Sequence, residues 1–387
     1  MRIYLDHAAT TPLLPGAGEA WQVAARTVGN ASATHSWGRE ARRITEESRE
    51  RIAAALGAHS GEVVFTSGAT EADNLAVLGM AEARRQADPQ LNRVLISAVE
   101  HPAVRLGAAE LAARGFEVTE LPVDSQGLLR LGVLSDALRR NPKGIALLSC
   151  LWVNNEMGAI APIPEIAALA DSYGIPLHSD AVQAVGLPSI TFAAATLPGL
   201  SGLSISAHKI GGPMGIGALL IRRDAPIVPL TYGGGQERRI RSGTVPVALI
   251  AAFAAALDEV VLKRELQYES LRQLRNTLSD GLTALGANVI GPAHPNHQAP
   301  HILYAIFPGV SAETLLMLLD QAGIAASAGS ACSAGVIQPS ETLLAMGYTP
   351  QDALSGVRFS LGWTNTPTDI TTLLQLLPDL LTRASSV

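Results

Sequence analysis

Short apolar runs alternate with amphipathic stretches between about residues 60 and 222. The apolar runs read EVVFT, RVLISA, FEVTELPV, GIALLSC, IPLHSD, SGLSISA and GALLIRR. Helical stretches follow the first two and are predicted to begin near Ala69 and at Pro102. This alternation predicts parallel strands with helices on both faces of the sheet. The strands are apolar almost throughout, as expected when both faces of a sheet are buried.

The pattern changes after the last of these strands. A long helix is predicted over about residues 247–285, and a second α+β unit follows it. In that unit HILYAIF and VRFSLG are predicted strands, and SAETLLMLLDQAG is a predicted helix. We therefore predict an α/β protein with a large domain over residues 15–260 and a small α+β domain formed by residues 1–14 and 261–387.

Composition narrows the possible classes of function. The 387 residues are 48% hydrophobic and 16% charged, with a net charge of −6, which is typical of a compact protein and argues against nucleic-acid binding. No apolar run is long enough to cross a bilayer, and MRIYLDHAATTP lacks the apolar core of a signal peptide. The two cysteines, Cys150 and Cys332, form no disulfide framework. We expect a cytoplasmic protein that binds neither nucleic acid nor membrane.

Polar residues cluster where the predicted strands end, which is where parallel α/β sheets bind ligands. They are Thr66, Ser67, Gly68, Glu100, His101, Asn154, Asn155, Glu156, Asp180, His208 and Lys209. Lys209 is one of only three lysines and lies in SISAHKIGGPMGIG. A lysine shielded from water among glycines has a lowered pKa and can form a Schiff base, although an ordinary surface cation is the alternative.

Three further groups are compatible with a pyridoxal cofactor. Asp180 could keep a pyridine nitrogen protonated, although an aspartate there could equally be the N-cap of a helix AVQAV. The stretch FTSGATEADN, with Thr70 in the first helical turn, suits an anion at the helix N-terminus, although helix caps look similar. His101 could stack on a flat ring and transfer protons, whereas a lone histidine is more often structural.

These motifs, in this order, resemble those of cysteine desulfurases of the NifS/IscS type, within the class V aminotransferase fold of pyridoxal phosphate (PLP) enzymes. The resemblance covers nearly the whole chain and includes YLDHAATTP, FTSGATEADNLA, NNEMGAI, SAHKIGGPMGIGAL, GGGQERRIRSGT, SAGSACSAG and VRFSLG. It implies fold type I of the PLP-dependent transferases, with a mainly parallel seven-stranded sheet in the large domain.

The resemblance also implies roles for individual residues. Lys209 bonds the cofactor, Asp180 pairs with its ring nitrogen, and His101 lies over the ring. The remaining cofactor contacts are Ala69, Thr70, Asn155, Gln183 (at the ring oxygen), Ser206, His208 and Thr244. Asn155 and Arg358 bind the substrate carboxylate, for which the planar guanidinium is well suited. In the family, the residue matching Thr244 reaches the phosphate from an adjacent subunit, so a homodimer is expected; no metal is expected.

The stretch ASAGSACSAGVIQPS, which contains Cys332, indicates which reaction of the class V enzymes the protein catalyses. Cys332 lies among small residues, which predicts an exposed loop and a nucleophilic thiol, whereas Cys150 in IALLSCLW is predicted to be inert inside a strand. The resemblance implies that L-cysteine becomes L-alanine, with Lys209 as the base. Cys332 then takes the sulfur as a persulfide and passes it to an iron–sulfur scaffold or a sulfur-carrier protein.

Two alternatives remain open. Another class V PLP enzyme, such as an aminotransferase or a selenocysteine lyase, would keep its activity after Cys332→Ala. A non-catalytic PLP-binding partner in sulfur relay is the second alternative. It is disfavoured because a binding protein needs neither an electron-withdrawing cofactor nor a nucleophile.

Overall fold

The computed structural model describes residues 2–329 and 338–385. A short strand, β1 (Ile3–Tyr4), precedes a large sheet of seven strands. The seven are β2 (Val63–Thr66), β3 (Arg93–Ser97), β4 (Glu117–Leu121), β5 (Ile145–Ser149), β6 (Leu177–Asp180), β7 (Leu200–Ser206) and β8 (Gly217–Ile221). They lie side by side in the order β2-β8-β7-β6-β5-β3-β4.

Most of this sheet is parallel, as predicted, but one edge is not. Strands β3 to β7 pair in parallel, whereas β8 runs antiparallel to both β7 and β2. The expectation of parallel pairing is therefore wrong for β2 and β8. No α-helix separates β7 from β8: the chain forms only a single 3-10 turn at Ala207–Lys209 and tight turns after it, so it reverses directly.

Seven helices accompany this sheet, and two apolar cores lie on its two faces. On β3, Leu95 belongs to one core while Val94 and Ile96 belong to the other, because successive side chains of a strand point to opposite faces. This explains why the strand sequences are apolar at nearly every position. The helices are α1 (Pro15–Ala25), α2 (Ser36–Ala55), α3 (Ala69–Ala87), α4 (Pro102–Ala113), α5 (Leu131–Arg140), α6 (Ile163–Asp171) and α7 (Val247–Ala284).

A second unit follows α7 and has its own apolar core. Its antiparallel sheet has the order β12-β10-β9, and β1 pairs in parallel with β11, so the N-terminus packs with this unit. The strands are β9 (Asn288–Ile290), β10 (Ile302–Ile306), β11 (Ile324–Ala325) and β12 (Gly356–Ser360). The helices are α8 (Ala312–Gln321), α9 (Glu341–Ala345), α10 (Pro350–Leu354) and α11 (Pro367–Ser385).

Helix α7 connects the two units without a break at residue 260. Its first turns place Phe253 and Leu257 in the core of the large sheet, and its last turns place Leu278 and Leu282 in the second core. The two-domain division at residue 260 stays a prediction, and it falls inside a continuous helix. Among the helices of residues 2–329 and 338–385, none combines the length and apolar character needed to cross a membrane.

Candidate active site

Lys209 lies at the end of the 3-10 turn that directly follows β7. Its Nζ donates hydrogen bonds to the carbonyl oxygens of Ala8 at 2.5 Å and Ala9 at 2.8 Å, so the N-terminal segment covers the amine. Burial lowers the pKa of Lys209 to about 8, and the neighbouring Arg358 guanidinium acts in the same direction. The amine therefore has the shielding and the lowered proton affinity that a carbonyl-binding lysine needs.

Asp180 is the last residue of β6, and its carboxyl group is buried. Its Oδ1 accepts a hydrogen bond from the backbone N–H of Val182 at 2.9 Å, but the following AVQAV stretch forms turns, so the alternative of a helix N-cap is wrong. His101 is the N-cap of α4, and its Nδ1 accepts from the N–H of Ala103 at 3.1 Å. One polar atom from each of Asp180, His101 and Asp73 lies within 4.8 Å of the other two.

Burial controls the ionisation of this cluster. It raises the pKa of Asp180, although His101 and Lys209 act in the opposite direction. It raises the pKa of Asp73 well above its usual range, and the charge of Asp180 adds to that effect. Burial also lowers the pKa of His101. Two buried carboxyl groups this close cannot both be ionised at low cost, so a ligand with a positive charge would be stabilised beside them. The absence of a metal here stays a prediction.

The turn between β2 and α3 lies at the same edge of the sheet as Ser206, because Gly217 of β8 pairs with both Thr66 and Ser206. Strand β2 ends at Thr66, and Ala69 and Thr70 are the first two residues of α3, as predicted. No atom of the described residues lies within 4 Å of the position that a Cβ atom on Gly68 would take, so the turn is open there. A Cβ atom on Gly217 would lie 2.8 Å from the carbonyl carbon of Gly68, so only glycine lets β8 approach the turn this closely. The free N–H groups of the first helical turn suit an anion.

Three more predicted phosphate contacts have different surroundings. Ser206 ends β7, and its buried hydroxyl has no hydrogen-bond partner within the described part of the chain. The Nδ1 atom of His208 lies 3.1 Å from Oγ1 of Thr10, and burial lowers the pKa of this histidine to about 4. Thr244 is exposed on the segment that precedes α7. Its contact across a subunit boundary stays a prediction.

Arg358 lies in the middle of β12 and is only 5% exposed. Its Nη1 donates to the carbonyl oxygen of Asn155 at 2.8 Å, and its Nη2 donates to Oδ1 of Asp6 at 2.9 Å. The Nε atom is buried and has no hydrogen-bond partner among residues 2–329 and 338–385. The fold thus brings together Asn155 and Arg358, the pair predicted to bind a carboxylate.

Gln183 lies beside Lys209. Its Nε2 donates to the carbonyl oxygen of Ala8 at 2.9 Å, which is the same oxygen that accepts from Lys209. Its Oε1 lies 3.3 Å from Nε2 of His301. Gln183 and Lys209, which are predicted to contact the ring oxygen and the aldehyde of the cofactor, therefore share one backbone carbonyl as a hydrogen-bond acceptor.

The two cysteines differ in what the structure describes. Cys332 lies outside the described residues, so its loop and its thiol stay predictions. Cys150 follows the last residue of β5 and is 1% exposed, so it lies just past the strand rather than inside it. Burial raises the pKa of the Cys150 thiol well above its usual range, and the charge of Glu100 adds to this. This thiol is therefore protonated and inert at neutral pH.

Taken together, these groups fit a flat, anionic ligand that carries an aldehyde. Lys209 supplies a shielded amine, and Asp180 supplies a buried carboxyl group for a protonated ring nitrogen. Within residues 2–329 and 338–385 the hydroxyl of Ser206 has no hydrogen-bond partner and the turn at Gly68 is open, so both suit a phosphate. Because each part of PLP has a matching group, the residues present fit this cofactor.

Several residues that shape the site were not selected from the sequence. Asp6 orients Arg358, the carbonyl oxygen of Ala8 holds Lys209, and Asp73 lies beside Asp180. Asp73 follows Thr70 by three positions, so helical periodicity alone puts the two on one face of α3. No sequence signal identifies a particular carbonyl, because every residue has one.

The chain belongs to the aminotransferase class-V family, whose model matches residues 3–373. Within this family it is similar to cysteine desulfurases. The IscS-like cysteine desulfurase of Mycobacterium tuberculosis is 46% identical over 384 residues, which are 98% of this chain and 96% of the relative.

Solved structures agree with this assignment. A protein described as NifS-like superposes with a TM-score of 0.90 at 32% identity, covering 99% of this chain and 100% of the other. SspA in complex with cysteine superposes with a TM-score of 0.79 at 30% identity, covering 93% of this chain and 99% of the other. The predicted fold class, including the mainly parallel sheet of seven strands, is confirmed.

Proposed function

We propose that this protein is a PLP-dependent cysteine desulfurase that converts L-cysteine into L-alanine and transfers the sulfur to Cys332. One observation carries the proposal. Lys209 and Arg358 are both held by the N-terminal segment, through the carbonyl oxygen of Ala8 and the carboxylate of Asp6. Asp180 ends β6 and pairs with β7, the strand that leads into Lys209. The similarity to cysteine desulfurases supports it, as does the relative that was solved with cysteine bound.

PLP, when bound, supplies an electron-withdrawing ring that stabilises negative charge at the substrate α-carbon. Lys209 would hold its aldehyde, Asp180 its ring nitrogen, and Gln183 its ring oxygen. His101 would cover the ring. The start of α3, with Ala69 and Thr70, would hold its phosphate together with Ser206, His208 and Thr244 of an adjacent subunit in a homodimer.

The substrate carboxylate would bind to Arg358. Asp6 and the carbonyl of Asn155 fix two of its nitrogens, so the guanidinium is already oriented before a ligand arrives. The Nε atom is buried and has no hydrogen-bond partner among the described residues, so it is available as a further donor. A preorganised, planar donor gains more from a carboxylate than a flexible lysine would, because less side-chain entropy is lost.

Proton transfer near the α-carbon would use Lys209. With a pKa of about 8, a useful share of its amine is neutral at slightly alkaline pH and can accept a proton. His101, whose pKa is lowered by burial, is a neutral imidazole at that pH and can also exchange protons.

Sulfur transfer then balances without an outside oxidant. The Cys332 thiolate attacks the substrate sulfur, so an S–S bond forms while the carbon–sulfur bond breaks and the β-carbon gains a proton. The sum is L-cysteine plus a thiol giving L-alanine plus a persulfide. An iron–sulfur scaffold or a sulfur-carrier protein in the cytoplasm would be the acceptor.

The test is incubation of the purified protein with L-cysteine. We expect alanine, and a mass increase of one sulfur atom on the Cys332 peptide that thiols remove. Cys332→Ala should keep the cofactor absorbance but lose the transfer. If this variant keeps full activity on its true substrate, another class V enzyme is the answer; PLP binding without any alanine would favour a non-catalytic role.

A further inference from the structure

A strained turn follows the seven-stranded sheet. Glu237, Arg238 and Arg239 have φ values of 45°, 58° and 63°, and they are the only non-glycine residues with positive φ in the described part of the chain. Three consecutive side chains in the left-handed region are costly, so the surrounding structure must hold them there. Strain of this kind points to a positioned segment.

A buried ion pair holds this turn against the start of the phosphate site. Arg49 Nη2 donates to Oε1 of Glu237 and Arg49 Nη1 donates to Oε2, both at 2.7 Å. Oε2 also accepts from the N–H of Phe65 at 2.8 Å, and the Arg49 guanidinium lies 4.6 Å from the Phe65 ring centroid. Phe65 belongs to β2, the strand that leads into Gly68, so the strained turn and the predicted phosphate turn are fastened together.

Arg241, two residues after this turn, contacts the first turn of α3 through its side chain. Arg241 donates from Nε to Oε1 of Glu71 at 2.7 Å and from Nη2 to Oε2 at 3.2 Å. The same Oε2 accepts from the N–H of Ser67 at 2.6 Å. Gln236 Oε1 accepts from the N–H of Gly243 at 3.0 Å, which closes the segment around Arg241.

The negative charge of Glu71 would disfavour the binding of a phosphate at the start of α3. A carboxylate in the first turn of a helix competes with an anionic ligand for the same helix N-terminus. Burial acts to raise the pKa of Glu71, but the hydrogen bonds from Arg241 and Ser67 outweigh it and lower the pKa, so the group is ionised. Its negative charge needs a fixed counter-charge if a phosphate is to bind nearby.

We infer that Arg241 is a positioning residue for the phosphate end of the site, because it holds and neutralises Glu71 while the strained turn fixes its own place. This inference rests on the proposed function, since it takes the phosphate of PLP as the anion. It assigns a role to the arginine of the RSGT stretch that is separate from the contact predicted for Thr244.

The test compares PLP with pyridoxal, which lacks the phosphate, on the stripped apo protein. Dissociation constants from absorbance titrations are measured for the wild type, Arg241→Gln, Glu71→Gln and the double variant. Arg241→Gln should raise the dissociation constant of PLP about tenfold, as expected for one uncompensated charge at several ångströms from a dianion. Pyridoxal binding should change less than about twofold, because no anion is present.

The double variant provides the decisive comparison. Removing the Glu71 charge together with that of Arg241 should restore PLP binding to near the wild-type value. Arg43→Gln is the matched control, since Arg43 forms similar pairs with Glu40 and Glu47 on an exposed helix face. It should leave both constants unchanged.

Two results overturn the inference. The first is a PLP dissociation constant in Arg241→Gln that equals that of the wild type. The second is an equal weakening of PLP and pyridoxal binding in Arg241→Gln that the double variant does not reverse, which would mean that Arg241 has a structural role only. If the wild type binds neither compound, the proposed function fails with it. Circular dichroism of each variant shows that the comparison is made on folded protein.

Discussion

Glu156 offers the sharpest test of how the described chain on either side of the Cys332 segment is positioned. Its carboxylate is 7% exposed and accepts hydrogen bonds from Ser340 Oγ at 2.5 Å and Thr342 Oγ1 at 2.8 Å. A Cβ atom on Gly329 would lie 3.3 Å from its Oε2. Glu156 therefore lies close to the described chain on both sides of the segment that contains Cys332, and it directly follows Asn155 of the proposed substrate site.

Removing this carboxylate has a calculable cost. Glu156→Ala leaves the buried hydroxyls of Ser340 and Thr342 without their acceptor, at about 1–3 kcal/mol each. The total destabilisation of the α9 region is thus about 2–6 kcal/mol. Glu156→Gln keeps one acceptor oxygen and should cost about half as much. Because a displacement of about 1 Å can slow a positioned reaction 100-fold, transfer to Cys332 should slow at least about tenfold in Glu156→Ala.

Two measurements separate positioning from general damage. Rapid quenching followed by mass spectrometry gives the rate of sulfur transfer to Cys332, and the absorbance of the bound cofactor gives its occupancy, which should stay within about twofold of the wild type. Limited proteolysis should cut near residues 338–345 earlier in Glu156→Ala. Glu110→Ala is the control, since Glu110 pairs with Arg114 on an exposed face of α4. Wild-type transfer and wild-type protease resistance in Glu156→Ala would refute the reasoning.

Three further predictions follow from the same site. Ser206→Ala removes a buried hydroxyl that has no hydrogen-bond partner in the described part of the chain. The variant should raise the thermal stability of the apo protein by about 1 kcal/mol and weaken PLP binding, and a loss of stability or unchanged PLP binding would contradict this. Burial holds the pKa of Lys209 at about 8, below its ordinary value of 10.5. Between these two pH values the unfolded chain binds more protons than the folded chain, so the unfolding free energy of the apo protein should rise with pH. Denaturation measured at several pH values should show that Lys209→Met loses this rise. Gly217→Ala places a Cβ atom 2.7 Å from the carbonyl oxygen of Ile205 and 2.8 Å from the carbonyl carbon of Gly68. The variant should lose about 1–3 kcal/mol of unfolding free energy and should bind PLP more weakly, with a smaller effect on pyridoxal. Unchanged binding of both compounds would contradict this prediction.

The elements near the site could be predicted closely because their signals are local. The apolar runs around Phe65 and Leu95 are bounded by residues that stop a strand and start a helix, and the helices begin at Ala69 and Pro102 as predicted. The possible helix AVQAV after Asp180 does not form, and the reason is physical. Its alanines and Val185 pack into the core as turns, and this packing outweighs their helical propensity.

What the sequence by itself determined is the alternation of strands and helices, the fold class and the chemical types at the strand ends, because apolar periodicity and helix-boundary residues act over a few positions. The reversal at β8, the pairing of Asp6 with Arg358 and that of Arg49 with Glu237 were decided only by the tertiary structure. These last two contacts join residues 352 and 188 positions apart. No local pattern encodes such a contact, because it exists only once the packed elements have brought the two side chains together.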